Sequence, residues 1–294
     1  MKILVIGSEG NIGSKLVPYL RECGHKVFRA DIIQGVGNDY SVIDINSPGE
    51  LYNLKFKPEI VFNLAAMVSR VTCEDSPGLT IQTNLAGAYN VIQYCKKVDA
   101  KLINFSTSEV YGNIGGLLSE DRECEPNNIY GLSKLLGEEL VKYEVSQGLK
   151  AVIVRPFMIY DEDETRGEHR SAMIRFAESL TKKKKITVHD GSQRSWLHIS
   201  DTVKILEKLI YVGFNTVNIG HPEVVDIKWI AHRMCELLGL HYIDYVIEDK
   251  LPYKMTLTKT PDLEKQIRLT GIIPKVNIDE GINLVLKNVS NSNK

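Results

Sequence analysis

The chain of 294 residues lacks the marks of several large protein classes. Its five cysteines, Cys23, Cys73, Cys95, Cys124 and Cys235, are odd in number, widely spaced and form no C-x-x-C pair. That argues against a disulfide framework and a zinc site, and it fits a reducing, cytoplasmic setting. There is no charge excess either, because 36 Lys and Arg face 37 Asp and Glu, a net charge of −1. Nothing here implies a nucleic-acid or membrane-surface partner, so an anionic ligand has to be held by local groups. No apolar run approaches the ~20 residues that span a bilayer. The short apolar start at Met1 leads into a glycine turn instead of a small-residue cleavage site, and reads as a first strand.

What is present is an alternation of strands and helices, on a chain long enough for one large domain or a core domain with a smaller lobe. Lys2 to Ile6 is a β-branched apolar run, followed at once by Gly7-Ser-Glu-Gly10-Asn11-Ile12-Gly13 and an amphipathic stretch to Cys23. Strand, glycine turn and helix in this order permit close backbone approach and offer free N–H groups to a pyrophosphate. A second strand, Lys26 to Ala30, ends on Asp31, close to the offset at which an acid meets the adenosine ribose hydroxyls. A carboxylate there repels a 2′-phosphate and favours NAD over NADP, although Arg29 points to the same face. Asp44 and Ile45 lie where a second carboxylate reaches the adenine edge or, alternatively, caps a helix beginning near Ser47.

Further strands are expected at Glu59 to Asn63, Lys101 to Phe105, Ala151 to Arg155 and Thr216 to Gly220. Helices are expected at 79–97, carrying Asn84, at 127–147, and at Thr202 to Tyr211 with Asp201 as N-cap. Leu64-Ala65-Ala66 supplies small residues for a chain passing beneath a dinucleotide. The alternation implies a mainly parallel, doubly wound Rossmann-like sheet. Ser106-Thr107-Ser108-Glu109 places three hydroxyls and a carboxylate at a strand's carboxyl end, where open α/β sheets bind ligands. Tyr130 and Lys134 are one helical turn apart on one face. An ammonium beside a phenol favours phenolate and lowers its pKa, which would make Tyr130 a general base.

These residues together resemble the extended short-chain dehydrogenase/reductases, specifically the NAD-dependent nucleotide-sugar epimerase/dehydratase group. The likeness rests on 7–13, Asp31, Asp44-Ile45, 63–66, Asn84, S-T-S-E-V-Y-G at 106–112, Y-G-L-S-K at 130–134, Arg155-Pro156, Arg194-x-Trp-x-His-x-x-Asp201 and 261–274. It implies NAD as cofactor, bound by the glycine turn, Asp31, Asp44, Ile45, Leu64, Ala65, Ala66, Asn84, Tyr130 and Lys134. Tyr130 is then the base, with Lys134 lowering its pKa and holding the nicotinamide ribose. Thr107, in preference to Ser106, bonds the reacting oxygen, Ser108 and Glu109 meet the substrate, and Arg194 holds its diphosphate. The implied chemistry is oxidation of a nucleotide-sugar at C4 to a keto intermediate, with 4-epimerisation first in expectation. A glucuronate-type decarboxylase, an NAD(P)H-dependent keto-sugar reductase and a non-catalytic dinucleotide-sensing module on the same fold are the alternatives. The resemblance also implies a homodimer through the two long helices.

Three departures from the family pattern follow. Ser108 stands where the 4,6-dehydratases carry an aspartic acid, and a serine is a far poorer proton donor. Met158-Ile-Tyr160-Asp161 replaces an Asn followed by Tyr-Gly-Pro, and Lys259-Thr-Pro-Asp262 replaces Arg-x-x-Asp, which weakens the expected nucleotide contacts. The charged stretch 161–170 reads as a solvated, mobile loop able to close over substrate, and no metal is expected there. Residues 1–165, with sheet contributions from 196–220, are expected to form the NAD-binding domain, and 166–294 mainly the substrate lobe. The tail from Asn288 reads as frayed.

Overall fold

A computed structural model describes residues 1–164, 171–250 and 258–292. Seven strands make the central sheet: β1 (Lys2–Ile6), β2 (Lys26–Asp31), β3 (Tyr40–Val42), β4 (Ile60–Asn63), β5 (Lys101–Phe105), β7 (Ala151–Pro156) and β11 (Thr216–Ile219), every neighbouring pair parallel. Their order is β11-β7-β5-β4-β1-β2-β3. The chain starts at β1 and winds outward in both directions, so the strand order reverses between β1 and β4.

Alternation along each strand sends side chains to two covered faces. Ile3 and Val5 face one core with Leu16, Val17 and Leu20 of α1 (Gly13–Glu22) and Val203, Leu206 and Leu209 of α8 (Ile199–Leu209). Leu4 and Ile6 face the other, with Leu51 of α2 (Pro48–Tyr52), Val91 and Cys95 of α5 (Ala88–Val98) and Val141 of α6 (Ile129–Ser146). Burial on both faces explains why these strands read as continuous apolar runs. Two short helices, α3 (Arg70–Asp75) and α4 (Pro77–Ile81), link β4 to α5. The helix expected at 79–97 runs through a π-helical turn, Gln82–Gly87, a local widening that often accompanies functional sites.

The other strands are β6 (Leu117–Leu118), β8 (Met158–Tyr160), β9 (Ile186–His189), β10 (Gln193–His198), β12 (Val224–Asp226), β13 (Val246–Asp249) and β14 (Thr258–Pro261). They build a five-stranded sheet around β10 and a β13–β9 pair. A separate apolar cluster joins Tyr160 and Trp196 to α7 (Ala172–Thr181), α9 (Ile227–Leu238) and α12 (Ile278–Ser292). Short helices α10 (Tyr242–Tyr245) and α11 (Glu264–Thr270) complete this region. Of the 196–220 stretch, β11 hydrogen-bonds into the central sheet while α8 covers it.

Three local expectations change. His198, not Asp201, caps α8; the Asp201 carboxylate instead accepts from the N–H groups of Lys275 (2.7 Å) and Val276 (2.9 Å), tying α8 to the segment before α12. The tail is helical through Ser292, because Val289 still packs into the apolar cluster. Residues 161–164 are pinned, not free. Asp163 accepts from Lys15 and Asn288, Glu162 pairs with His198 at 2.8 Å, and Glu164 accepts from Ser171. The rest of that expected loop, 165–170, lies outside the described residues.

Candidate active site

The glycine turn sits at the carboxyl end of β1, beside the point where strand order reverses. Gly7 has φ +82°, and a Cβ there would lie 2.8 Å from the Ala65 nitrogen. At Gly13 a Cβ would lie 2.2 Å from the Gly7 carbonyl oxygen and 2.7 Å from Ser8 Cα. Backbone therefore packs on backbone, leaving the α1 N-terminus facing a cavity of about 620 Å³. Gly7, Gly10, Asn11, Ile12, Gly13, Leu64 and Ala66 line one end of it, and Ser106, Thr107, Ser108, Glu109, Tyr130, Lys134, Arg194 and Lys259 the other. Replacing Gly13 by alanine is expected to force this turn open and weaken NAD binding at least about tenfold, read by calorimetric titration.

Asp31 lies against the turn, its carboxylate accepting from the N–H of Glu9 (2.9 Å) and of Ile32 (2.8 Å). Arg29 is drawn away by Glu9, Asp39 and the Val36 carbonyl, so the nearby cation is already committed. With the Asp31 carboxylate at the turn and a tied arginine, the chain's residues fit the ribose of NAD and disfavour a 2′-phosphate.

Several expected cofactor residues are engaged within the fold itself. Asn84 Oδ1 accepts from Met67 N–H (2.8 Å), and Nδ2 donates to the Met67 carbonyl (2.9 Å) and Ser133 Oγ (3.0 Å). Its amide straps the segment after β4 to α6. Ile45 is buried in the core, where a Cβ on Gly87 would meet its Cδ1 at 2.8 Å. Asp44 Oδ1 accepts from Asn46 and starts the turn into α2. Ala65 packs on the apolar cluster of Ile6 and Val61.

Helix α6 begins where Asn128 Oδ1 accepts from Gly131 N–H at 2.8 Å. Tyr130 is half-buried and lines the same cavity as Thr107. Burial pushes that phenol above its ordinary value; Thr107 opposes the shift and the Glu109 charge adds to it. Lys134 is buried too, which pulls its ammonium down to about 8 against the opposing charge of Glu138. The expected lowering of Tyr130 by Lys134 is therefore not what the fold produces, since burial disfavours both charged forms. Ser106 donates its hydroxyl to Glu138 at 2.5 Å, which leaves Thr107 as the neighbouring cavity hydroxyl that is not turned to that carboxylate.

Glu109 is held from two sides. Lys259 Nζ bonds Oε1, and Asn128 Nδ2 donates to Oε2 at 3.0 Å. Burial acts to raise its carboxyl, but Lys259, Asn128 and Arg194 outweigh that and hold it at about 2. The lysine that replaces the family arginine is thus a counter-ion, brought in because β14 pairs with β10 at Arg194↔Lys259. Sequence reasoning missed this pair, together with Arg70 and Arg175 in the cavity wall and Asn128 as double anchor. An Asn two residues ahead of Tyr130 was the one local signal for the last.

A doubly wound parallel sheet, a dinucleotide turn at its switch point and a Tyr–Thr–Lys group across one cavity define a short-chain dehydrogenase/reductase-type enzyme. The profile of the NAD dependent epimerase/dehydratase family matches residues 3–220, and the chain belongs to that family. It is 28% identical to a UDP-N-acetyl-alpha-D-glucosaminuronate decarboxylase of Bacillus cytotoxicus, over 96% of this chain and 95% of that one. It is 27% identical to a putative UDP-glucose 4-epimerase of Methanocaldococcus jannaschii, over 99% of both. Among solved structures it is similar to the UDP-glucuronic acid 4-epimerase of Bacillus cereus with UDP-glucuronic acid and NAD, at TM-score 0.88 and 25% identity, over 99% of this chain and 100% of that one. The protein is an NAD-dependent enzyme of that family. Among the described residues, no helix is long and apolar enough to cross a membrane.

Proposed function

We propose that the protein is a UDP-sugar 4-epimerase, oxidising the sugar at C4 and restoring the alcohol with inverted configuration. The observation that carries this reading is that Thr107, Tyr130 and Lys134 line one cavity, with Glu109 tied there to Lys259 and Asn128. Bound NAD supplies the hydride acceptor and donor. Tyr130 Oη takes the proton of the C4 hydroxyl and later gives it back, Thr107 Oγ1 holds the same oxygen, and Lys134 supplies the positive charge that a phenolate needs. A 4,6-dehydratase needs an acid and a base beyond these. Ser108 is no acid, and a carboxyl held at about 2 by an ammonium is a poor base.

A second reading, a uronate decarboxylase, is favoured by the S-T-S-E run and the decarboxylase relative. Loss of carbon dioxide from a β-keto acid requires no base at C5, so the clamped Glu109 suits it as well. Incubating the NAD-loaded protein with neutral and uronic UDP-sugars, followed by mass spectrometry and proton NMR, tests both. An isomer of unchanged mass supports the epimerase, loss of carbon dioxide replaces it with the decarboxylase, and net consumption of NADH with a keto-sugar replaces it with a reductase.

Residues 1–165 with 196–220 are taken as the NAD-binding unit and the rest of 166–294 as the substrate lobe. The five free thiols fit a reducing, cytoplasmic compartment. A homodimer through α5 and α6 accounts for the exposed Leu132, Leu136 and Tyr143, which share one face of α6, and for Tyr89 on α5. Leu136→Glu combined with Tyr143→Glu is expected to convert the dimer to monomer in sedimentation velocity, and an unchanged species would remove the dimer proposal.

A further inference from the structure

Two side chains in the cavity wall hold each other, and the C4 reaction uses neither as acid or base. Glu109 leaves the same turn as Thr107: its N–H donates to Thr107 Oγ1 at 3.2 Å, at the start of the short helical turn Ser108–Tyr111. Both residues line the cavity with Tyr130. Burial raises the Tyr130 phenol and the Glu109 charge adds to that shift, so the carboxylate stands close to the atoms that exchange a proton. Both of its oxygens are taken, Oε1 by Lys259 Nζ and Oε2 by Asn128 Nδ2 at 3.0 Å. Lys259 is 1% exposed and is fixed in β14, which pairs with β10 at Arg194↔Lys259 and with β6 at Thr260↔Leu117. Burial pulls its ammonium down and Glu109 opposes that. Lys259 therefore cannot release Glu109 without stranding a buried charge, which is costly.

Oxidation at C4 exposes the neighbouring carbon. A ketone at C4 acidifies the C5 proton, and a free carboxylate within reach takes it: the C5–H bond breaks, the proton goes to the carboxylate and the electron pair to the C4 oxygen as an enolate. Reprotonation from the other face then scrambles C5. We propose, resting on the C4 reading above, that Lys259 decides the outcome of the reaction by holding Glu109 as an ion pair, so that this carboxylate leaves the C5 proton of the 4-keto sugar in place. Lys259 acts through Glu109 and is a positioning residue. Burial acts to raise the Glu109 carboxyl, yet Lys259, Asn128 and Arg194 hold it at about 2. Proton-abstracting power follows basicity, so the paired carboxylate is a far weaker base than a free one. Without Lys259, Asn128 and Arg194 still act on Glu109, which recovers part of its basicity.

The test is turnover of the NAD-loaded protein in deuterium oxide with UDP-glucose and with UDP-glucuronate, followed by proton NMR and mass spectrometry. The C4 hydride travels to NAD and back, so an isomer carries solvent deuterium on carbon only where C5 has been deprotonated. The unmutated protein is expected to place deuterium at C5 in fewer than about one turnover in a hundred. Lys259→Gln, and separately Lys259→Met, are expected to raise C5 deuterium per turnover at least about tenfold. Lys259→Arg keeps the charge and should stay at the unmutated level, and adding Glu109→Gln to Lys259→Gln should abolish the gain. NAD affinity within about threefold of the unmutated protein, by calorimetric titration, shows that a variant has kept its fold. Deuterium at C5 of the isomer from unmutated protein overturns the inference. So does deuterium-free isomer from a folded Lys259→Gln or Lys259→Met protein, or a gain that survives Glu109→Gln. Failure of the C4 reading looks different: the unmutated protein gives no isomer of either sugar, or a product that has lost carbon dioxide, and the inference falls with it.

Discussion

Replacing Tyr130 by phenylalanine is expected to lower kcat by about 10²–10⁴-fold, the range for a positioned acid–base group, while NAD affinity changes less than about threefold. The ring is retained and one oxygen is removed, so packing is preserved and the loss reports proton transfer. Burial has already raised this phenol above its ordinary value, so removing the proton is difficult without help in place. Thr107 lines the same cavity, where its hydroxyl is placed to bond the reacting oxygen, and Lys134, pulled down to about 8 by burial, lies one turn away. Thr107→Val is expected to cost less than Tyr130→Phe, because it deletes one bond and leaves the base in place. Single-turnover oxidation followed at the nicotinamide absorbance, with UDP-glucose or UDP-glucuronate, checks both. Tyr130→Phe protein turning over within threefold of the unmutated enzyme would remove Tyr130 as the base.

Those parts of the site were legible whose residues lie close together in sequence. The turn at 7–13 is written in glycines because Cβ atoms at Gly7 and Gly13 would strike backbone, and that requirement is local. Tyr130 and Lys134 are likewise one helical turn apart. What stayed hidden depends on pairing across the fold. Lys259 and Glu109 are 150 residues apart and meet because β14 falls beside β10. Asp201 looked like a helix cap because its offset from the helix is right, but its oxygens were drawn to N–H groups 74 and 75 residues away. The direction of the Tyr130 shift was misjudged for a related reason: sequence names the neighbouring lysine but says nothing of how deeply both groups are buried. Asn84 was placed on the correct helix, yet the π-helical turn directs its amide to Met67 and Ser133.

Beneath the reacting group lies a network whose disruption is expected to have the largest effect on stability. Glu138, 0% exposed on α6, accepts from Arg155 Nε at 2.8 Å and Nη2 at 2.6 Å, and from Ser106. Arg155 Nη1 continues to the Tyr111 hydroxyl (3.0 Å) and the Glu120 carbonyl (3.2 Å), and Tyr111 donates to Asn218 Oδ1 at 2.7 Å. The pair joins α6 to β7, and through Ser106 it fixes the end of β5 on which Thr107 sits. Glu138→Ala leaves the guanidinium buried without its carboxylate, a change that costs about 3–5 kcal/mol. At roughly 2–4 °C per kcal/mol for a chain somewhat shorter than this one, the Tm is expected to fall by about 10 °C in calorimetry. The cost comes from stranding a charge and not from losing attraction, so Glu138→Met combined with Arg155→Met should recover much of it. The double variant still frees Ser106, and its kcat should therefore stay low after its stability has returned. If Glu138→Ala lowers Tm by less than about 2 °C, Arg155 has found water or another acceptor, and the network is not what holds Thr107 against Tyr130.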